Sequence, residues 1–280
     1  MMYNRKRNKI GKPLVHMALI ALCLVWIYPF IWMITASLKT NTEYISGGLS
    51  ILPEKLQFEN YVRAWDTANF STYFYNTVII TVSVVAIVIL VCALTGYAMG
   101  RYRFPGRLVF MTLITAMLFM PKGYTIIPIY TLINWMGLNN SLFGVILAEV
   151  GGAHVLFILL FTAHFRGLPK ELEEAAKMDG CGFLRTFLQI MIPLSKPIIA
   201  TTAILQFMWA WNSFLLPLVL TLSKPELRTL GVGMYQFVGE NSVDWTGTAA
   251  AASISLIPII IVYIAFQKYF VEGISGAVKG

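Results

Sequence analysis

The sequence predicts an all-α, polytopic membrane protein with six transmembrane helices and both termini cytoplasmic. Three observations carry this. Of 280 residues, 58% are apolar and only 12% are charged, with a mean hydropathy of +0.71, so too few polar groups exist to cover a soluble globule. Uncharged runs recur near the ~20-residue length that a helix needs to cross a bilayer core. Basic residues gather at alternate ends of those runs, which sets an orientation.

The first uncharged run extends from Leu14 to Leu38, behind Arg5, Lys6, Arg7, Lys9 and Lys12. A basic start imitates a secretory signal, but this run is too long for a signal core and no small-x-small cleavage site closes it. An uncleaved span is expected after a basic cytoplasmic segment, residues 1–13, with His16 near the interface. The second run covers Thr67 to Gly100 and is densest from Val78 to Ala98. The third is short, Leu108 to Pro121, and resumes beyond Lys122 through Tyr124 to Ile133, so one span is expected across both pieces. The fourth, Ser141 to Phe165, carries Glu149 and His154. Ile198 to Ser223 and Trp245 to Gln267 supply the fifth and sixth. The transmembrane region is then residues 14–270, followed by a cytoplasmic tail, 271–280.

Six spans with the N-terminus inside place fifteen of the 21 Lys and Arg residues on the cytoplasmic side. They are Arg5, Lys6, Arg7, Lys9, Lys12, Arg101, Arg103, Arg107, Arg166, Lys170, Lys177, Arg185, Lys196, Lys268 and Lys279. The other six, Lys39, Lys55, Arg63, Lys122, Lys224 and Arg228, fall outside. Omitting the third span would invert the last three helices, so charge supports a count that hydropathy leaves open. The same placement removes nucleic acid as a reading of the net charge of +8, because the basic residues mark helix ends rather than one binding face. Cys23, Cys92 and Cys181 lack metal-ligand or redox spacing. Between the first two spans, residues 39–76 hold Glu43, Glu54, Glu59 and Asp66 among many aromatics, enough for a short extracytoplasmic helix or lid. A second outside segment, 223–244, is rich in Gly and polar residues.

The cytoplasmic loop at residues 166–197 reads as ordered structure. Pro169 suits a helix start, and Glu171, Glu173 and Glu174 follow where carboxylates favour the positive end of the helix dipole. Leu168, Leu172, Ala175, Ala176 and Asp179 mark the turns, and Gly180 is placed to end the helix. Phe183, Leu184, Phe187, Leu188 and Met191 begin a second, amphipathic helix, which Pro193 and Pro197 are expected to stop. Two helices around a glycine corner make a rigid knob.

The run EEAAKMDGCGFLRTFLQIMIP, residues 173–193, resembles the EAA signature of the membrane subunits of ATP-binding cassette importers. Glu174, Ala175, Ala176, Asp179 and Gly180 match it, nine residues intervene, and Ile190 and Pro193 complete it, with Ile192 in place of the usual Leu. AWNSFLLPL at 210–218 and FVEGISGAVKG at 270–280 look like the carbohydrate branch, the maltose-type permease family. The resemblance implies a permease subunit of a binding-protein-dependent sugar importer in the cell membrane. Its implied partners are a homologous second permease subunit, two cytoplasmic ATPase subunits, an extracytoplasmic sugar-binding protein and the lipid bilayer. It implies that Glu174 to Ala176 contact the ATPase, Gly180 makes the corner and Pro193 sets the exit into the membrane. The chain would bind no cofactor and carry no catalytic or metal residue, ATP and Mg being used by the partner ATPases; no phosphate-cradling G-x-x-x-x-G-K-[ST] loop is present.

Candidates for the translocation path are Glu149, an ionisable group within an apolar run, and Trp211 and Asn212, beside Trp209, since an aromatic ring stacks on a pyranose and an amide bonds its hydroxyls. Glu149 facing the path and Glu149 at the outer interface are both open on this reading, as are sugar contact and ordinary helix packing for the Trp residues. Pro29, Pro128, Pro217 and Pro258 interrupt expected helices. The rival function is a secondary transporter or channel subunit without ATPase coupling, for which Glu149 is the only intramembrane carboxylate.

Overall fold

A computed structural model describes residues 11–48, 50–67, 69–120, 125–152, 154–237 and 243–278. Arg5, Lys6, Arg7, Lys9, Lys122 and Lys279, counted above for orientation, lie outside the described residues, as does most of segment 1–13. Regular structure is helical. The first half comprises α1 (Gly11–Ala36), α2 (Asn41–Ser46), α3 (Glu59–Thr67), α4 (Phe70–Arg101), α5 (Arg107–Ala116), α6 (Ile126–Trp135), α7 (Leu142–Val150) and α8 (Val155–Gly167). Then follow α9 (Glu171–Met178), α10 (Phe183–Thr186), a π-turn at Phe187–Met191, α11 (Ile192–Leu194), α12 (Lys196–Trp211), α13 (Leu215–Leu220), α14 (Leu230–Gly233) and α15 (Trp245–Val278).

Among the described residues, three helical stretches are long and apolar enough to cross a bilayer alone: Lys12–Ala36, Phe70–Arg101 and Trp245–Lys268. The number rises to five if two bent pairs each make one span, Leu142–Val150 with Val155–Gly167, and Phe183–Leu194 with Lys196–Trp211. The sequence suggests continuous runs at 141–165 and 198–223, yet both are broken, the first at Gly151–His154 and the second after Trp211. The expected third span comprises two shorter apolar helices, Arg107–Phe119 and Ile126–Trp135.

The chain divides into two units, residues up to 68 with 234–256, and 69–233 with 257–280. In the first, no residue in the most apolar window of α1 is buried, as suits a helix whose surroundings are hydrocarbon. Beyond α1 the chain turns through a polar interior. Asn60 Nδ2 donates to the Ser37 and Lys39 carbonyls, 2.8 Å each, the Ser37 and Tyr61 hydroxyls pair at 2.7 Å, and buried Lys39 donates to the Ser50 carbonyl. The short α2 and α3 thus realise the expected short helix in this segment.

Asp244 organises the start of α15. Its carboxylate accepts from the Gly247 N–H at 3.0 Å, the Asn41 amide at 3.0 Å and the Arg63 guanidinium at 3.0 and 3.1 Å. That is the geometry of an N-cap with two further partners. Burial alone pushes this carboxyl up, but the Gly247 N–H, Asn41 and Arg63 outweigh it and hold the group below its ordinary value.

In the second unit, α4 supplies the central stripe. Ile80, Val84, Val88 and Cys92 recur every fourth residue and are each at most 1% exposed, which places them on one face of a helix. The stripe continues as Gly96 and Gly100, where α8 crosses. A Cβ at Gly96 would lie 2.4 Å from Phe161 Cβ and 2.9 Å from the Thr162 backbone nitrogen, so the missing side chain sets the approach distance. Phe157, Phe161 and Phe165 of α8, each 0% exposed, fill this seam. Polar cross-links hold its far end: the Asn76 amide donates to the Glu226 and Arg228 carbonyls at 2.8 and 3.0 Å, and the Leu230 N–H to Thr77 at 2.9 Å.

Two outcomes follow from this packing. Gly96→Val is expected to destabilise the detergent-solubilised protein by more than the ~1–3 kcal/mol usual for overpacking, because the clash includes backbone. Gly167→Ala, which meets open space, should leave thermal unfolding nearly unchanged. As for Asp244, a depressed carboxyl stabilises fully above its ordinary value of 3.8 and loses that contribution as pH falls through the lower folded value. Hydrogen-exchange protection of residues 41–67 should therefore drop as pH is lowered below 3.8, and Asp244→Asn should lower it already at neutral pH; equal protection in both proteins would refute the role.

Candidate functional site

Residues 166–197 form two helical arms around the Gly180 corner, and each arm differs in detail from the sequence reading. α9 opens with Glu171, Glu173 and Glu174 in its first turn and closes in the left-handed region at Gly180, φ +74°. The Cys181 N–H donates to the Ala176 carbonyl at 2.8 Å and the Gly180 N–H to Lys177 at 3.0 Å, the paired closing bonds of a Schellman ending. Space around the Gly180 α-carbon is open, so glycine is required here by the backbone rather than by crowding within the chain. Glu174, Ala175, Asp179 and Gly180 are exposed, and Met178 is 88% exposed at the tip. Ala176 is only 2% exposed. It faces the subunit's own interior, so within the run Glu174 to Ala176 the accessible side chains are those of Glu174 and Ala175.

The returning arm also departs from expectation. The helix ends between Pro193 and Pro197, as expected, but Pro193 itself lies inside it. Helical backbone runs from Phe183 to Leu194, and the Ile192 N–H bonds five residues back to the Phe187 carbonyl. Such a π-turn absorbs the donor that proline lacks and the room its ring takes. The break comes at Ser195, whose hydroxyl donates to the Met191 carbonyl at 2.7 Å, and the chain bends by 80° into α12 with Pro197 in its first turn. Phe187 and Met191 are fully buried, and Ile190 is partly so.

What seats the knob is α4. Arg101 Nη1 donates to the Leu168 carbonyl at 2.9 Å and Nη2 to Pro169 at 2.7 Å, while its Nε faces Glu173 Oε1 at 3.4 Å without an aligned hydrogen bond. One turn earlier, the Tyr97 ring lies 5.4 Å from Phe165, 5.1 Å from Phe183 and 5.4 Å from Phe187. Sequence reasoning counted Arg101 only as an orientation charge and missed its contacts, which link residues some 70 positions apart; no spacing in the chain announces them.

Glu149 lies at the end of α7, where the fourth run breaks. It is half-buried, accepts a hydrogen bond from the Ser213 hydroxyl, and its carbonyl accepts from His154 Nε2 at 3.1 Å. Ser213 belongs to the break after α12, so one carboxylate joins two interrupted helices. Such breaks free backbone groups that a bilayer cannot satisfy and that protein must. Trp211 and Asn212 part company here. Trp211 is 4% exposed, between Phe74 at 5.7 Å and Phe207 at 5.3 Å, beside an apolar cavity of about 180 Å³ that reaches Pro258. Its low exposure matches the helix-packing alternative that the sequence leaves open for this residue. Asn212 is exposed and donates to the Met208 carbonyl at 2.8 Å. The ring that remains accessible is Trp209, 42% exposed and stacked on Phe157 at 5.0 Å. Among the described residues, no three His, Cys, Asp or Glu side chains are grouped to hold a metal ion.

Helices of membrane-spanning length and a loop with carboxylates on its exposed rim are features that a membrane transport component would present. A family model described as binding-protein-dependent transport system inner membrane component matches residues 93–276, and the chain belongs to that family. It is 34% identical over 277 residues to the probable ABC transporter permease protein YurM of Bacillus subtilis, covering 99% of this chain and 91% of that one. It is also 34% identical over 261 residues to the diacetylchitobiose uptake system permease protein NgcG of Streptomyces coelicolor, covering 93% and 86%. A bacterial ABC transporter involved in importing the acidic polysaccharide alginate contains a chain that superposes with a TM-score of 0.83 at 27% identity, covering 96% of this chain and 100% of that chain.

The two tryptophans should separate on mutation. Trp211→Ala is expected to cost about 3–5 kcal/mol of stability, as for a buried aromatic ring. Trp209→Ala should cost distinctly less, near the ~0.5–1.5 kcal/mol of one ring stack plus partial burial. Equal losses in thermal unfolding would contradict the burial difference.

Proposed function

We propose that this chain is one of two permease subunits of an ATP-driven, binding-protein-dependent importer of carbohydrate, resident in the cell membrane. It crosses the bilayer six times with both termini cytoplasmic, the third crossing made jointly by α5 and α6. Substrate arrives on an extracytoplasmic binding protein and passes between this subunit and a homologous partner. Two cytoplasmic ATPase subunits bind and hydrolyse ATP with Mg, and this chain carries no cofactor and no catalytic residue.

The observation that carries the reading is the knob at 166–197, inside the family match. An exposed rim of Glu174, Ala175, Asp179 and Gly180, with Met178 projecting beyond it, suits a partner surface that offers a cationic edge and an apolar socket. Gly180 leaves room for close approach at the corner. Ile190 and Pro193 shape the returning arm, whose 80° bend sends α12 into the membrane. Carbohydrate as cargo is supported by relatives named for diacetylchitobiose and alginate uptake. Glu149, with Asn212 and Trp209 near the two helix breaks, is the group of this subunit assigned to the path. ATP and the binding protein favour the outward-open state to the extent that they bind it more tightly than the inward one.

Two substitutions test this. Gly180→Val forces a β-branched residue into the left-handed region, at a cost of ~1–2 kcal/mol, and fills the corner; Glu174→Lys reverses the charge of the rim. Each is expected to reduce co-purification of the ATPase and to lower uptake by roughly tenfold or more, the effect of losing about 1.4 kcal/mol of coupling. Gly180→Asn, which tolerates the same backbone, should retain more activity. Uptake that persists in both variants, survives ATP depletion and collapses with the proton gradient would instead identify a secondary transporter.

A further inference from the structure

We propose that Arg101 is the positioning residue that carries displacement of the knob into α4. Motion of α9 would then enter the membrane through α4 as well as through α8 and α12, the helices continuous with the loop. This rests on the coupling role proposed above and adds a route that chain connectivity does not supply.

The Arg101 side chain is only 4% exposed although it stands at a helix terminus. Its fork holds the carbonyl of Leu168, the residue that caps α8, together with that of Pro169 at the entry to α9, at 2.9 and 2.7 Å. Its third nitrogen faces Glu173 in the first turn of α9 at 3.4 Å, with the carboxylate 14% exposed. One guanidinium therefore grips the end of one helix and the beginning of the next. A planar fork can do this, whereas a lysine ammonium is a point donor and holds fewer such acceptors in fixed geometry. The opposite arm of the knob is held by the preceding turn of α4, since Tyr97 contacts Phe183 and Phe187. With Gly96 and Gly100 bringing α4 against Phe161, Thr162 and Phe165, the lower halves of α4 and α8 have little room to slide past one another. Removing the fork would release the part-buried Leu168 carbonyl, the exposed Pro169 carbonyl and the charge facing Glu173, while the apolar seam below stays intact. The expected defect is therefore lost transmission rather than lost folding.

The test uses the complete transporter reconstituted in liposomes with its binding protein, comparing wild type, Arg101→Gln and Arg101→Lys. The readouts are ATPase co-purification, ATP hydrolysis and sugar taken up per ATP hydrolysed. Expected is an assembled complex that still hydrolyses ATP, with uptake per ATP down by roughly 5- to 150-fold in Arg101→Gln, the span of ordinary coupling free energies. Arg101→Lys should fall between that variant and wild type. An unchanged uptake-to-hydrolysis ratio in both variants overturns the proposal, and so does a lower yield of complex whose surviving fraction keeps the wild-type ratio. Glu174→Lys and Gly180→Val run in the same assay separate the two ideas. If they uncouple and the Arg101 variants do not, the Arg101 route alone fails; if they too leave the ratio unchanged, the coupling reading itself fails.

Discussion

Close approach of α4 and α8 is the constraint on which the second unit depends. In hydrocarbon no hydrophobic effect drives helices together, so association relies on contact area and on small residues that let backbones meet. The stripe from Ile80 to Cys92 provides the area, and Gly96 and Gly100 provide the approach. Because these glycines lie in the last two turns of α4, the closest contact falls beside Tyr97 and Arg101, the two residues that hold the knob. Packing within the apolar seam and seating of the polar loop are thus one arrangement.

Helix breaks are the second organising feature. A bilayer accepts irregular backbone only where protein covers it, and here the breaks after α7 and α12 meet through Glu149 and Ser213. A carboxylate at such a point serves structure by tying one helix end to the other. The π-turn at Phe187–Met191 solves a similar problem differently, rerouting a backbone hydrogen bond so that Pro193 stays within the helix instead of ending it.

Much of the knob was legible in the chain because its signals are local. Three carboxylates after Pro169 mark a helix start, and Gly180 marks its end, since the left-handed closing residue penalises a Cβ. The outward face was only partly legible: Ala175 and Ala176 are identical in type and adjacent, yet one is exposed and the other buried, because adjacent helical positions lie about 100° apart. Trp209 and Trp211 pose the same problem two positions apart. Arg101 was legible as a charge and illegible as a clamp.

The sequence by itself determined the class of structure, the approximate membrane-spanning runs and the corner of the loop, since each depends on residue type within one or two turns or on hydropathy over about 20 residues. Tertiary structure decided where those runs break, which of two tryptophans is covered, and which arginine bears on the loop. These depend on groups brought together from positions 60 or more apart, Glu149 with Ser213 and Arg101 with Leu168. Their partners are set by helix packing, and neither spacing nor composition encodes that directly.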